Sequence, residues 1–171
     1  GFSGSELNGE GAVVVDGRLR LFQRGNGAVV DGRAATNAVG DMDLGAVLAW
    51  LDEGGAAPSL VAVVPVDLGD VRGVPLGFTD ATTLPDGTVV FLACAEDSPD
   101  TFRDGAVLGV RVGRLDGGDV LLTDVVEPGG RPTTRKLEGV DFVGWTAAGG
   151  VELLVVTDED DPDQPAAIAS R

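Results

Sequence analysis

The chain has no His and no Tyr, and it carries one Cys, one Met and a single Lys, Lys136. Each scarcity closes a route. Without His there is no Ser-His-Asp or Cys-His catalysis and no His-ligated zinc. Cys94, alone, allows no internal disulfide and no cysteine-built zinc site, and leaves the compartment open. Basic residues are also few: 12 Lys and Arg against 28 Asp and Glu give a net charge of −16. Such a surface repels phosphate backbones and anionic lipid, which excludes nucleic acid and membrane as expected partners and suits a soluble protein.

Long apolar runs are missing as well. The longest, such as LVAVVPV at 60–66, is far too short to span a bilayer. The opening GFSGSELNGEG is neither cationic nor apolar, so no signal peptide is expected. With no initiator Met, the chain is expected to begin part-way through a longer product or after processing. What survives these exclusions is carboxylate chemistry, Arg electrostatics and oxygen-ligated metals such as Ca²⁺ or Mg²⁺.

Val, Leu, Gly and Asp are plentiful, and 171 residues suffice for one domain with a real core. The segments 12–15, 19–23, 60–66, 88–94, 106–112, 120–126 and 151–157 read as strands punctuated by Gly, Asp and Pro. One segment differs. LGAVLAWLDEGG (44–55) sets Leu44, Val47, Leu48 and Leu51 at helical spacing before a Gly-Gly stop, which predicts a single short helix.

The strands align as three copies: GEGAVVVDGRLRLFQRGNG (9–27), FTDATTLPDGTVVFLACAEDS (78–98) and LEGVDFVGWTAAGGVELLVVTDED (137–160). Each has an acid at its head, then a strand, a turn, a second strand and a polar loop. The segments 78–84, 88–95, 106–115 and 119–126 predict a four-stranded meander. The expected fold is therefore all-β, a β-propeller of four-stranded antiparallel blades. Its blades would be 9–67, 78–126 and an incomplete 137–171, together one unit over 1–171 and about half a ring. The remainder of the propeller, in a parent chain or a second copy, is then an expected partner. The competing expectation is a β-sandwich.

In such blades the head acids Glu10, Asp80 and Glu138 would converge at a channel mouth, sharing one face with the loops at 24–27, 95–105 and 158–165. Confined carboxylates must be protonated, paired with Arg or bound to a cation. Ca²⁺ is the expected ligand, with Mg²⁺ second, and Arg24, Arg103 and Lys136 are the alternative partners. DEDDPDQP (158–165) has the acid density of a calcium loop but lacks its Gly and distal Glu, and Pro162 interrupts it, so it reads as a solvated charged loop. Cys94 reads as a buried strand residue. Trp50 and Trp145 read as packing residues, and Asn8 and Asn37 as weak ligand candidates.

The phrases EGAVVVDGRLRLFQRGNG, GFTDATTLPDGTVVFLACAED and KLEGVDF…LLVVTDEDDPDQP resemble the blades of an uncharacterised bacterial six-bladed propeller family. That family is similar in style to phytase-like esterase domains. More distantly, the phrases resemble regucalcin and gluconolactonase propellers, whose channel-mouth Glu, Asn and Asp residues bind a divalent metal. The resemblance implies a metal at Glu10, Asp80 and Glu138. Two functions follow. One is a Ca²⁺- or Mg²⁺-dependent hydrolase of a small-molecule ester, lactone or phosphoester, with Glu96 or Asp158 as base and Arg24 stabilising negative charge. The other is a non-catalytic binding or scaffold module.

Overall fold

Hairpins form where apolar strands flank residues that accept positive φ. Asp16 (φ 49°) and Gly17 (φ 69°) make the two-residue turn between β1 (Gly9–Val15) and β2 (Arg18–Gln23). With β3 (Ala38–Asp43) and β4 (Ala62–Pro65) they form a four-stranded sheet in the order β1-β2-β3-β4. The helix α1 (Leu44–Glu53) is inserted between β3 and β4. Asp43 caps it by accepting a hydrogen bond from the Ala46 N–H (2.9 Å), and Gly54 (φ 78°) ends it. Of its apolar stripe only Val47 is buried, while Leu48 and Leu51 stay exposed. The helix is thus a surface connection and not a core element.

The second sheet has five strands, β5 (Asp70–Val71), β6 (Val74–Thr83), β7 (Val89–Asp97), β8 (Ala106–Asp116) and β9 (Asp119–Asp124), paired in chain order. The third has β10 (Leu137–Trp145), β11 (Val151–Thr157) and β12 (Ile168–Ser170). These elements belong to a computed structural model that describes residues 1–98, 105–116, 119–158 and 166–170, with the backbone alone at 168–170. Every named strand pair is antiparallel.

β6 packs against both β1 and β10, so the second sheet joins the other two. The first core lies between the first and second sheets. Phe78 on β6 meets Phe22 of β2 and Phe91 of β7 edge-on, with centroids 5.1 and 5.0 Å apart. All three rings are fully buried, so truncating any of them to Ala should cost about 3–5 kcal/mol. A second core of Leu92, Cys94, Val110, Leu137 and Val140 joins the second and third sheets. Among the described residues no helix is long and apolar enough to cross a membrane.

The propeller expectation is corrected here. The sheets have four, five and, among the described residues, three strands, with a helix interrupting the first and a short β5 hairpin extending the second. They are unequal sheets and not repeated four-stranded blades. A remainder of the propeller, whether parent chain or second copy, therefore has no basis as a partner. The reason is physical. Alternation and turn residues specify strands and hairpins locally, but how many strands join a sheet depends on long-range pairing.

Candidate functional site

The residues singled out by sequence gather where β1, β6, β7 and β10 come together, around Arg24. Its backbone N–H donates to the Asn8 carbonyl (2.8 Å) just past β2, which turns the side chain inward. Its side chain is buried, with 5 % of its surface exposed. Its Nη2 donates to Glu96 Oε2 at 2.6 Å and its Nη1 to Glu10 Oε1 at 3.3 Å. Glu138 Oε1 lies 3.9 Å from Nη1 and is also paired with Lys136 Nζ at 3.3 Å. Glu96 closes its own other side by accepting from the Gly105 N–H (2.8 Å). One guanidinium therefore ties carboxylates from all three sheets.

Neighbouring side chains hold this arrangement. Gln23, fully buried, donates through Nε2 to the Glu6 and Arg24 carbonyls (3.1 and 2.7 Å) and accepts from the Asn8 N–H (2.9 Å). Asn37 accepts from the Gly25 N–H (2.7 Å) and donates to the Leu76 carbonyl (2.6 Å), clamping the RGNG turn to β6. Asn8 donates to Asn26 Oδ1 (3.0 Å) in the same turn. Both Asn residues thus position the turn.

Asp80 takes different partners. Its Oδ2 accepts from the Val140 N–H at 2.7 Å. The cause is a one-residue register difference. Glu10 and Glu138 are the extra residues of β-bulges in β1 and β10, each between two residues that pair with consecutive residues of the partner strand. In β6 the corresponding extra residue is Thr79, and Asp80 falls on the position of Gly11 and Gly139. A shift of one residue reverses the face a side chain takes. Thr79 is buried, and its hydroxyl donates to the Leu137 carbonyl (2.7 Å). Asp158 reaches the neighbourhood through its backbone, its N–H donating to the Lys136 carbonyl (3.0 Å). Arg103, Asp160, Asp161, Pro162 and Asp163 lie outside the described residues.

The electrostatics follow from burial. Desolvation pulls the Arg24 guanidinium down, but Glu10 and Glu96 outweigh it and raise it above its ordinary value. Burial raises the Glu138 carboxyl, opposed by Lys136 and reinforced by Glu10. Burial likewise raises Asp80, against the hydrogen bond from Val140. The Cys94 thiol, buried behind the cluster, is pushed up to about 12, mainly by desolvation. It is not a nucleophile at neutral pH. Among the described residues, two cations, Arg24 and Lys136, face three acids, Glu10, Glu96 and Glu138.

A second feature lies beside it. Between the second and third sheets is a cleft of about 450 Å³, walled by Leu92, Val112, Val125, Leu137, Leu153 and Val155. Its rim is a hairpin in which the Glu127 N–H donates to the Arg131 carbonyl (2.7 Å) and Val126 bridges Pro132. Thr133, buried, donates to Glu127 Oε1 (2.6 Å) and locks that hairpin. Leu137 connects the two features. It forms part of the cleft wall between Lys136 and Glu138 of the charge cluster. Sequence reading did not find the cleft, although the alternation Val151, Leu153, Val155, Thr157 was there to be read.

The model of DUF6929, a family of unknown function, matches residues 1–170. The chain belongs to DUF6929. Among curated proteins and solved structures nothing matches it. Membership of DUF6929, with three unequal sheets, replaces the resemblance to a bacterial propeller family, to phytase-like esterase domains and to regucalcin and gluconolactonase propellers. The metal-dependent hydrolase is corrected with it. Among the described residues no group of three or more His, Cys, Asp or Glu is placed to hold a metal ion. At the expected channel mouth, Arg24 stands among the acids and supplies their countercharge.

Proposed function

We propose that this DUF6929 protein is a non-catalytic binding module that takes a small, largely apolar ligand in the cleft between β8 and β11. The observation that carries this reading is the cleft itself. At about 450 Å³ it has the size of a small-molecule site, and its walls are apolar, with Glu127, Thr133, Arg135 and Thr157 as the polar groups. The charge cluster serves the same reading as a brace. Arg24 ties the ends of β1, β7 and β10 to one another, and so fixes the relative placement of the two sheets that wall the cleft.

Titration with Nile red, an uncharged dye that brightens in apolar surroundings, tests the proposal. The wild type is expected to bind it saturably, and Leu153→Trp, which fills the cleft, to lose that binding while keeping its circular dichroism and melting temperature. Equal dye binding by a folded Leu153→Trp variant would overturn the assignment.

A further inference from the structure

We propose that a groove between the first and second sheets receives an extended, basic peptide segment of a partner protein, which adds to the open edge of β4. The groove lies on the opposite side of the second sheet from the cleft, and the proposal does not depend on the reading of the cleft. Its volume is about 600 Å³, with Val39, Val64 and Val66 on one side and Leu115 and Val120 on the other. Val39 pairs with Val64 across β3 and β4, and Leu115 with Val120 across β8 and β9, so each pair projects from one face of its sheet. Val112, which walls the cleft, is three residues from Leu115 on the same strand and takes the other face. β4 ends the order β1-β2-β3-β4, so among the described residues its outer edge has no neighbouring strand. All four of its residues are exposed, as is Val61 just before them. An exposed, valine-rich edge without Lys is a template for a further strand. Pro65 confines the pairing to residues 61–64, so the backbone contributes few hydrogen bonds and the groove supplies the remaining contacts.

The charge of the partner follows from the acids of the groove. Its charged side chains among the described residues are Arg20, Asp41, Asp67 and Asp119. Arg20 donates through Nε and Nη2 to both oxygens of Asp41, at 2.8 and 2.9 Å, so these two neutralise each other. Asp67 accepts from the Gly69 N–H through Oδ1 (2.9 Å), and Asp119 has no ion pair or side-chain hydrogen bond among the described residues. Both are exposed. Two carboxylates without a cation, set beside aliphatic walls, select Lys or Arg next to apolar side chains. They also disfavour a second copy of this chain. Pairing β4 with its own counterpart would bring Asp67 and Asp119 of both copies into one interface, between chains that each carry −16.

Fluorescence anisotropy with the labelled, end-blocked peptide Lys-Lys-Val-Thr-Val-Thr-Val-Lys-Lys tests the proposal. It is expected to bind the wild type saturably. One analogue carries Glu in place of Lys, and another carries Pro in place of Thr, which removes strand N–H donors. Each should bind about tenfold or more weakly. Asp67→Asn and Asp119→Asn should each weaken the Lys peptide about two- to fivefold, the size of an exposed ion pair. Val64→Lys, at an exposed edge position, should abolish binding with an unchanged circular dichroism spectrum. No binding by the wild type, equal binding of either analogue, or an affinity unchanged by Val64→Lys or by both Asn substitutions would overturn the assignment. The peptide-free wild type is expected to sediment as a monomer. A dimer that Val64→Lys dissociates would give the edge to a second copy and overturn the peptide reading.

Discussion

Gly77 leaves the space that Arg24 fills. A Cβ at Gly77 would stand 2.7 Å from Arg24 Cγ and 3.2 Å from its Nε, so the buried guanidinium passes directly over the backbone of β6. Gly77→Ala is therefore expected to destabilise the fold by about 1–3 kcal/mol through overpacking. Urea denaturation of both single variants and the double variant with Arg24→Ala measures the coupling. In the Arg24→Ala background the added methyl should cost almost nothing, and an additive result would show that the clash lies elsewhere.

Arg24→Met should cost about 3–5 kcal/mol, because it leaves the buried Glu96 without its cation and removes the shared partner of the half-buried Glu10 and Glu138. The same variant gives a sharper outcome with metal. With Arg24 present, Ca²⁺ after chelator treatment is expected to leave the melting temperature unchanged. In Arg24→Met, Glu10 and Glu96 lose their cation while Glu138 keeps Lys136, and a saturable rise with Ca²⁺, the ion taking the place of the guanidinium, is expected. A saturable rise in the wild type would show that a cation binds beside the guanidinium.

Glu138 carries a pH signature. Burial raises its folded-state pKa, with Lys136 opposing and Glu10 reinforcing. A carboxyl raised on folding favours the native state while protonated, and that contribution is lost as pH rises from the unfolded value through the folded one. Glu138→Gln is thus expected to be more stable than the wild type at pH 7, with the advantage vanishing near pH 4. Melting curves across that range decide it, and a variant less stable at pH 7 would mean that the Lys136 pair outweighs desolvation.

Cys94 reports on the same region. Buried at the second core and with its thiol pushed up to about 12, it should resist an aromatic disulfide reagent at pH 8 in the native protein. Labelling should accelerate in denaturant and in Arg24→Met, following opening of the sheets. Rapid labelling of the native wild type would contradict the packing of β7 against β10.

Much of the secondary structure was legible, because strands and turns are local. The stretch 78–126 reads as a meander and folds as β6-β7-β8-β9 in that order. The helix read at 44–55 is α1 over Leu44–Glu53. β3 was missed because AVGDMD alternates poorly, and its burial comes from sheet neighbours. The acids at 10 and 138 were read as equivalent, and both are bulge residues beside Arg24. The third head fell one residue out of register, at Asp80 and not at Thr79. A bulge is a feature of pairing between strands and leaves no mark in a single strand's alternation.

The sequence by itself determined an acidic, His-free, strand-rich chain with turns at its Gly and Asp residues, since composition and short-range periodicity carry that information. Only the tertiary structure decided that, among the described residues, the strands divide into sheets of four, five and three, and that the buried Arg24 from the first sheet binds carboxylates of all three. It also decided that an apolar cleft opens beside them. These depend on contacts between residues 60 and more positions apart, such as Arg24 with Glu96 and Asp80 with Val140. Coulombic pairing and burial at that separation are set by how whole sheets pack, which no local window of the chain encodes.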